Sequence, residues 1–197
     1  MLTLPDGTRR SESEVLDAVH DYNRAVFDLF DMPFSGPHDK LRPIDLLALN
    51  ALNAWGRGQP MTAMTAAWEC RADIAAAVAP VSREPLEKLS KKEVGEQSRR
   101  VGAALDRIDR ISGFGSTASA KLFHRLRPNL GPIWDQRVGQ WYDPKMDWEP
   151  WVALVYSHVL EPGTRKCLIA ARKHLGVPLT LLRVWDVLLW QLRGQVR

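Results

Sequence analysis

The sequence has few cysteines and no long uncharged apolar run. Only Cys70 and Cys167 occur among its 197 residues, too few for a four-thiolate cluster and not at the two-residue spacing of zinc and redox sites. No window of about 18 residues is free of charge, and the N-terminus lacks the charged and apolar regions of a signal peptide. We therefore expect a cytoplasmic protein without a metal or cofactor, and no membrane association.

Low-complexity tracts are also missing, and no internal repeat recurs at a period of about 20 to 50 residues. Glycine and proline occur 13 times each, and the chain is 45% apolar and 25% charged, which fits a folded protein. We predict a single compact helical domain over residues 1–197. A division into two lobes, 1–80 and 81–197, stays open.

Acidic and basic residues are unevenly distributed along the chain. The formal net charge is +4. Residues 1–32 carry seven acidic and three basic side chains, whereas residues 83–127 carry eleven basic and six acidic ones. This pattern predicts a basic face in the middle third, which favours an anionic partner such as nucleic acid.

Apolar residues recur at helical spacing through most of the sequence, and no sustained alternation predicts a strand. The first helix is predicted behind a Ser11/Glu14 capping box and ends near Pro33. A second helix begins at Pro43, and another begins at Pro85 with a possible break at Gly95. Further helices are predicted over residues 61–78, 151–160, 166–175 and 180–192. In the last one, Arg183, Asp186 and Gln191 form a thin polar edge. The expected fold is all-α.

The segment from Ile108 to Val138 carries the functional signal. It reads IDRISGFGSTASAKLFHRLRPNLGPIWDQRV, so Gly113, Phe114 and Gly115 separate one helix from another that starts near Ser116. Glycines allow a tight reversal, and the unpaired N–H groups of the second helix attract an anion. A simple helix connection would use the same residues, and this alternative stays open.

Small and basic residues surround the two glycines. Phe114 is predicted to pack between the two helices. The small residues Ala118 and Ser119 allow these helices to cross closely. The basic side chains Arg107, Arg110, Lys121, His124, Arg125 and Arg127 could contact neighbouring phosphates. The predicted contacts to duplex DNA come from Gly113, Phe114, Gly115, Ser116, Thr117, Lys121, Arg125 and Arg110.

These residues resemble the helix-hairpin-helix DNA glycosylase superfamily. There, a hydrophobic-x-Gly-hydrophobic-Gly hairpin precedes a Pro-Val-Asp turn by eighteen to twenty residues, and this chain has Pro132, Ile133, Trp134 and Asp135. The resemblance covers about thirty residues. The sequence is also similar, over most of its length, to an uncharacterised bacterial family with a C-terminal Leu-Arg-x-x-Asp-x-x-x-Trp helix, here Leu182, Arg183, Asp186 and Trp190.

The resemblance implies that Asp135 stabilises positive charge on the deoxyribose and orients water while the N-glycosidic bond breaks. Capping of the next helix alone would also explain this aspartate. Thr117 stands where lyase members carry a lysine, so the implied enzyme is a monofunctional glycosylase in base excision repair. Trp134 and Gln140 depart from the family pattern. A non-catalytic DNA-binding domain and a protein-interaction domain remain the alternatives.

A flipped base also needs an aromatic or apolar pocket. Four tryptophans follow the hairpin closely and are candidates to line such a pocket: Trp134, Trp141, Trp148 and Trp151. Most of them are expected to pack in the core instead.

Overall fold

The structure is a computed structural model that describes residues 1–20, 22, 27–31, 38–55, 60–143 and 145–195. It confirms a mostly helical fold. The α-helices are α1 (Glu12–His20), α2 (Pro43–Ala48), α3 (Pro60–Glu69), α4 (Arg71–Val78), α5 (Lys91–Asp109), α6 (Ser116–Leu126), α7 (Gln136–Gly139), α8 (Trp148–Leu160), α9 (Pro162–Leu175) and α10 (Leu181–Gln195). A π-helical turn spans Phe27–Asp31, and 3-10 turns span Leu49–Leu52 and Leu86–Lys88. None of the described helices is both long and apolar enough to cross a membrane.

A short antiparallel hairpin precedes the helices. Its strands are β1 (Leu2–Thr3) and β2 (Arg9–Arg10), and its turn contains Gly7 at a φ of 83°. The expectation of no strand was therefore wrong at this point. Two residues per strand are too few to produce a readable apolar-polar alternation.

Helices α5 and α8 form the most extensive packing in the core. They approach closely because Gly102 has no side chain: a Cβ there would lie 2.7 Å from the Cα of Glu149. Helix α1 packs on α9 and α10, and α6 packs on α5 and on α2. The helical turn after Asp135 therefore lies against α10 at one side of a shared core.

Several helix boundaries differ from the predicted ones. Helix α1 ends at His20, and the predicted end near Pro33 lies outside the described residues. The predicted helix over 61–78 is split at Cys70. Gly95 does not break α5, which begins at Lys91 because Ser90 and Glu93 form a capping box.

The apolar run of α10 predicts that most of its circumference is buried, which is confirmed, but the thin polar edge is buried too at Arg183 and Asp186. Residues 181–189 are all buried, and Arg183 and Asp186 are only 4% and 5% exposed. Arg183 pairs with both Asp186 and Asp31 inside the protein, so the helix is enclosed by polar as well as apolar contacts.

Candidate functional site

A glycine loop, residues 110–115, joins α5 to α6. The main-chain N–H of Phe114 donates to the carbonyl of Ile111 at 3.0 Å, which closes the turn. Gly113 has a φ of 79°, a conformation that L-residues rarely adopt, and a Cβ there would lie 3.1 Å from the Cβ of Ala63. Both the backbone angle and the close neighbour therefore explain this glycine.

Phe114 is buried and fastens the loop to the protein. Its ring meets the edge of Trp55 at a centroid distance of 5.3 Å. Ala118 and Ser119 are buried where α6 packs on α5, and the Ser119 hydroxyl donates to Asp109 Oδ1 at 3.2 Å. Sequence reasoning found the burial of Phe114 but not Trp55, which lies 59 residues earlier in the chain.

The N-terminus of α6 has no side-chain cap. Gly115 occupies the N-cap position at a φ of −125°, and a Cβ there would meet nothing within 4 Å. The first N–H groups of an α-helix have no partner within the helix. Ser116 and Thr117 line an open groove at this end, so the helix terminus faces space that a ligand can enter.

Asp135 is the N-cap of α7. Its Oδ1 accepts hydrogen bonds from the main-chain N–H groups of Arg137 and Val138, both at 2.9 Å. Within the described chain, its Oδ2 has no hydrogen-bond partner. Asp135 therefore caps α7 through Oδ1, and its Oδ2 makes no hydrogen bond to the described residues.

The glycine loop and Asp135 line the same groove. This groove has a volume of about 1030 Å³ and is bordered by Gly113, Gly115, Ser116, Thr117 and Asp135, together with Trp55 and Trp134. A deeper recess of about 300 Å³, which we call the inner pocket, adjoins it. Both cavities are lined by Leu52, Asn53, Lys121, Asp135 and Trp190. Two sequence segments twenty residues apart therefore meet at one opening.

The inner pocket contains charged groups that sequence reasoning did not place in the site. Arg183 and Asp186 of α10 line it beside the apolar side chains of Ile133 and Val187. Arg183 also donates to Asp31 through its Nε at 2.9 Å. The Leu-Arg-x-x-Asp-x-x-x-Trp pattern was a usable signal, because its Arg, Asp and Trp all line this pocket.

Lys121 is not the exposed phosphate contact that was predicted. It is 4% exposed, and its Nζ donates to the carbonyl of Leu52 at 2.7 Å. Burial lowers the pKa of Lys121, against the opposing influence of Asp135 and Asp186. Lys121 therefore supplies a buried amine to both cavities rather than a charge on the surface.

The prediction for Arg125 is likewise corrected. Arg125 is 3% exposed and donates to Asp45 Oδ1 at 3.1 Å and to the carbonyl of Phe30. Asp45 attracts this guanidinium into the core, so it cannot meet an external phosphate. Arg110 is exposed at the start of the glycine loop, as a phosphate contact requires.

His124 and Arg127 are also interior groups. The Nδ1 of His124 lies 2.6 Å from the carbonyl oxygen of Gly131, and burial lowers the pKa of His124 to about 4. Arg127 donates to the carbonyls of Val81 and His38. The basic side chains of α6 and its C-cap Arg127 therefore point largely toward the core, where they contact neighbouring carbonyl groups.

Three of the four tryptophans that were candidates for the pocket pack against one another. Trp134, Trp148 and Trp151 form edge-to-face pairs, with 5.2 Å between the ring centroids of Trp134 and Trp151. Trp190, which was not singled out as a pocket residue, is 41% exposed and lines both cavities. The Arg137 guanidinium lies 4.0 Å from its ring centroid.

The free cysteines Cys70 and Cys167 form no disulfide. Among the described residues, no group of three or more His, Cys, Asp or Glu side chains is arranged to hold a metal ion.

Compared with known protein families, residues 12–193 match a family of unknown function, DUF6308. No curated protein and no solved structure matches the chain. The match carries no information about DNA or glycosidic bonds, so DNA binding and glycosylase activity both stay predictions.

Proposed function

Because the match spans most of its length, the chain belongs to DUF6308, and from the site itself we propose that it is a monofunctional DNA glycosylase. In this proposal the glycine loop and α6 form a helix-hairpin-helix that grips duplex DNA. A flipped base enters the inner pocket, and Asp135 assists hydrolysis of its N-glycosidic bond.

One observation supports this proposal above all. The uncapped N-terminus of α6 and the unused Oδ2 of Asp135 border one groove, and an apolar pocket of about 300 Å³ opens beside that carboxylate. Base excision needs an anion-binding element, a carboxylate and a recess for the extruded base close together. The groove offers a candidate anion-binding helix terminus and a carboxylate, and the adjoining inner pocket offers a recess for the base.

DNA contact would begin at the helix terminus. The N–H groups of Ser116 and Thr117 suit a phosphate. Because Gly115 has no side chain, the phosphate oxygens can approach the main chain. Arg110 and Arg137 are the exposed cations next to this terminus and in the groove. Contacts of this kind bind the DNA backbone without reading sequence and weaken as salt rises.

The chemistry would centre on Asp135. Its Oδ1 is fixed by two main-chain N–H groups, which leaves Oδ2 to face the sugar. As the bond from C1′ to the base nitrogen breaks, positive charge grows on the sugar, and a nearby carboxylate stabilises it. Water supplies a hydroxyl group to C1′ and a proton to the base. Thr117 cannot form an imine, so this position gives no strand cleavage.

The test is single-turnover base release from duplexes carrying uracil, oxidised, alkylated or mismatched bases. Asp135→Asn keeps a capping oxygen but removes the charge, so we expect release to fall at least about 100-fold while DNA binding persists. Asp143→Asn is the matched control, since exposed Asp143 also accepts a main-chain N–H, from Lys145. Equal release by wild type and Asp135→Asn would remove Asp135 from the mechanism.

DNA binding is tested separately from chemistry. Gly115→Val adds bulk where nothing lies within 4 Å, so the fold should persist while phosphate approach is blocked. We expect affinity to fall for all duplex sequences, whereas Ala103→Val on the exposed side of α5 should not change it. Binding without release from any duplex would favour a non-catalytic DNA-binding domain. Absence of affinity at low salt would favour a protein-interaction domain.

A further inference from the structure

Asp186 lines the inner pocket and has a carboxylate oxygen without a hydrogen-bond partner among the described residues. Asp186 is 5% exposed, and its Oδ2 accepts a hydrogen bond from Arg183 Nη1. Its Oδ1 is buried and has no hydrogen-bond partner among the described residues. A buried acceptor without a partner is unfavourable, and a ligand or an ordered water at the site would satisfy it.

The surrounding contacts hold Asp186 in place. Arg183 donates to Asp31 on one side through Nε at 2.9 Å and to Asp186 on the other. The hydroxyl of Tyr22 also donates to Asp31. Because Arg183 is held between Asp31 and Asp186, it occupies Oδ2 of Asp186, and Oδ1 is the oxygen that has no partner among the described residues.

The rest of the inner pocket suits a small, largely apolar molecule. Leu52, Ile133 and Val187 provide apolar walls, and the half-exposed ring of Trp190 borders both the pocket and the groove. Lys121 adds an amine donor. The volume of about 300 Å³ is at the lower end of the range for small-molecule sites, which is about 300–1,000 Å³.

We propose that Asp186 selects the base: its Oδ1 accepts a hydrogen bond from an N–H group on the edge of a nucleobase held in the inner pocket. The class of ligand follows from the chemistry, because a carboxylate oxygen accepts and cannot donate when ionised. A base whose N–H is methylated would leave Oδ1 buried and unpaired. Sites that hydrogen-bond a buried polar group strongly reject analogues that lack it.

Charge on Asp186 should tune this selection. Burial raises the pKa of Asp186 to about 7, with Asp135 acting in the same direction and Arg183 and Lys121 in the opposite one. The ionised form is the better acceptor. Preference for an N–H-bearing base should therefore increase as the pH rises from 6 to 8.

The inference rests on the proposed function for its class of ligand, but it is tested without DNA. Dissociation constants are measured by NMR titration for two pairs of bases whose sugar-bearing nitrogen is methylated, 9-methyladenine with N6,N6,9-trimethyladenine and 1-methyluracil with 1,3-dimethyluracil. At pH 8 we expect an N–H-bearing base to bind at least about ten times more tightly than the partner whose N–H is methylated. Asp186→Asn turns its amide oxygen to Arg183 and its NH2 to the pocket, so this preference should vanish.

Two further variants keep the test decisive. Asp106→Asn changes an exposed aspartate of α5 and should retain the preference. Ala51→Phe fills the inner pocket from the Leu49–Leu52 turn and should abolish base binding even if Asp186→Asn fails to fold. A preference that survives in Asp186→Asn, or a wild type that binds none of the four bases, would overturn the inference.

Failure of the inference can be told apart from failure of the proposed function. Selective binding of free bases without release from any duplex would support the role of Asp186 and contradict glycosylase activity. Release from duplex DNA without any N–H preference would do the reverse.

Discussion

Asp45 and Asp186 are both buried beside arginines, but their hydrogen-bonding capacity is used differently. Both oxygens of Asp45 are bonded: Oδ1 accepts from Arg42 and Arg125, and Oδ2 accepts from the Arg42 main chain and contacts His38 at 3.0 Å. Asp186 has only Arg183 on Oδ2, and its Oδ1 is unpaired among the described residues. The comparison separates a closed cluster that stabilises the fold from an open one that faces a pocket.

The two aspartates also differ in their pKa values. Burial alone would raise the pKa of Asp45, but hydrogen bonds from His38 and Arg42 reverse this and lower it below its ordinary value. At Asp186 burial prevails over Arg183, and the pKa rises to about 7. Asp45 has more hydrogen-bond partners than Asp186 to oppose the effect of burial, and these partners lower its pKa.

The largest expected effect is on the closed cluster. Asp45→Ala would remove the ion-pair partner of Arg125, whose side chain is 2% exposed, from the interior of the protein. We expect the free energy of unfolding, measured by urea titration at pH 7, to fall by about 3–5 kcal/mol. Asp106→Ala, at an exposed position of α5, should change it by less than about 0.5 kcal/mol. Similar losses in both variants would mean that the Asp45 cluster contributes no special stability.

The next effect is a pH dependence of opposite sign at the two aspartates. The folded-state pKa of Asp186 is above its ordinary 3.8, so its contribution to stability is complete below about pH 4 and is lost as the pH rises towards about 7. Asp45 has a lowered pKa, so its contribution is present above its ordinary pKa and is lost at lower pH.

Urea titrations from pH 4 to pH 8 measure this difference. The free energy of unfolding of wild type minus that of Asp186→Asn should decrease with pH, by at most about 1.4 kcal/mol per pH unit. A difference that stays constant over this range would contradict a raised pKa at Asp186.

A third, smaller effect distinguishes Gly113 from Gly115, the two glycines of the glycine loop. Gly113→Ala meets both a φ of 79° and Ala63 at 3.1 Å, and should destabilise the fold by about 1–3 kcal/mol. Gly115→Ala meets neither a positive φ nor a neighbour within 4 Å, and should change stability by less than about 0.5 kcal/mol. Thermal unfolding of the two variants side by side measures this. Equal losses would show that the loop does not depend on the conformation of Gly113.

Local patterns predicted much of the fold. The Ser11/Glu14 capping box, the glycine loop and the apolar periodicity of the C-terminal helices act over a few residues, so they are readable in sequence. The same is true of Asp135 as an N-cap. The tiny β1/β2 hairpin and the division at Cys70 were missed, because two-residue strands and a one-residue break leave no periodic signal.

The pairing of charges could not be predicted in this way. Arg125 pairs with Asp45, which is eighty positions away in the sequence, and Arg183 pairs with Asp31 at a separation of 152 residues. A basic helix in sequence therefore gave no indication of which cations point inward. The inner pocket depends on these distant pairs, whereas the meeting of the glycine loop with Asp135 depends on only twenty residues of chain.

The smallest expected effect concerns the charges that surround Asp186. Lys121 lowers the pKa of Asp186 and Asp135 raises it. Lys121→Met should therefore move the titration midpoint of Asp186 upward, and Asp135→Asn should move it downward, each by less than about one pH unit. Carbon-13 NMR of the aspartate carboxyl groups measures both midpoints. Lys166→Met on the exposed side of α9 is the control and should leave the midpoint unchanged. Shifts of the same sign in Lys121→Met and Asp135→Asn would mean that conformational change, and not charge, controls Asp186, and the open cluster would then lose its electrostatic link to the groove.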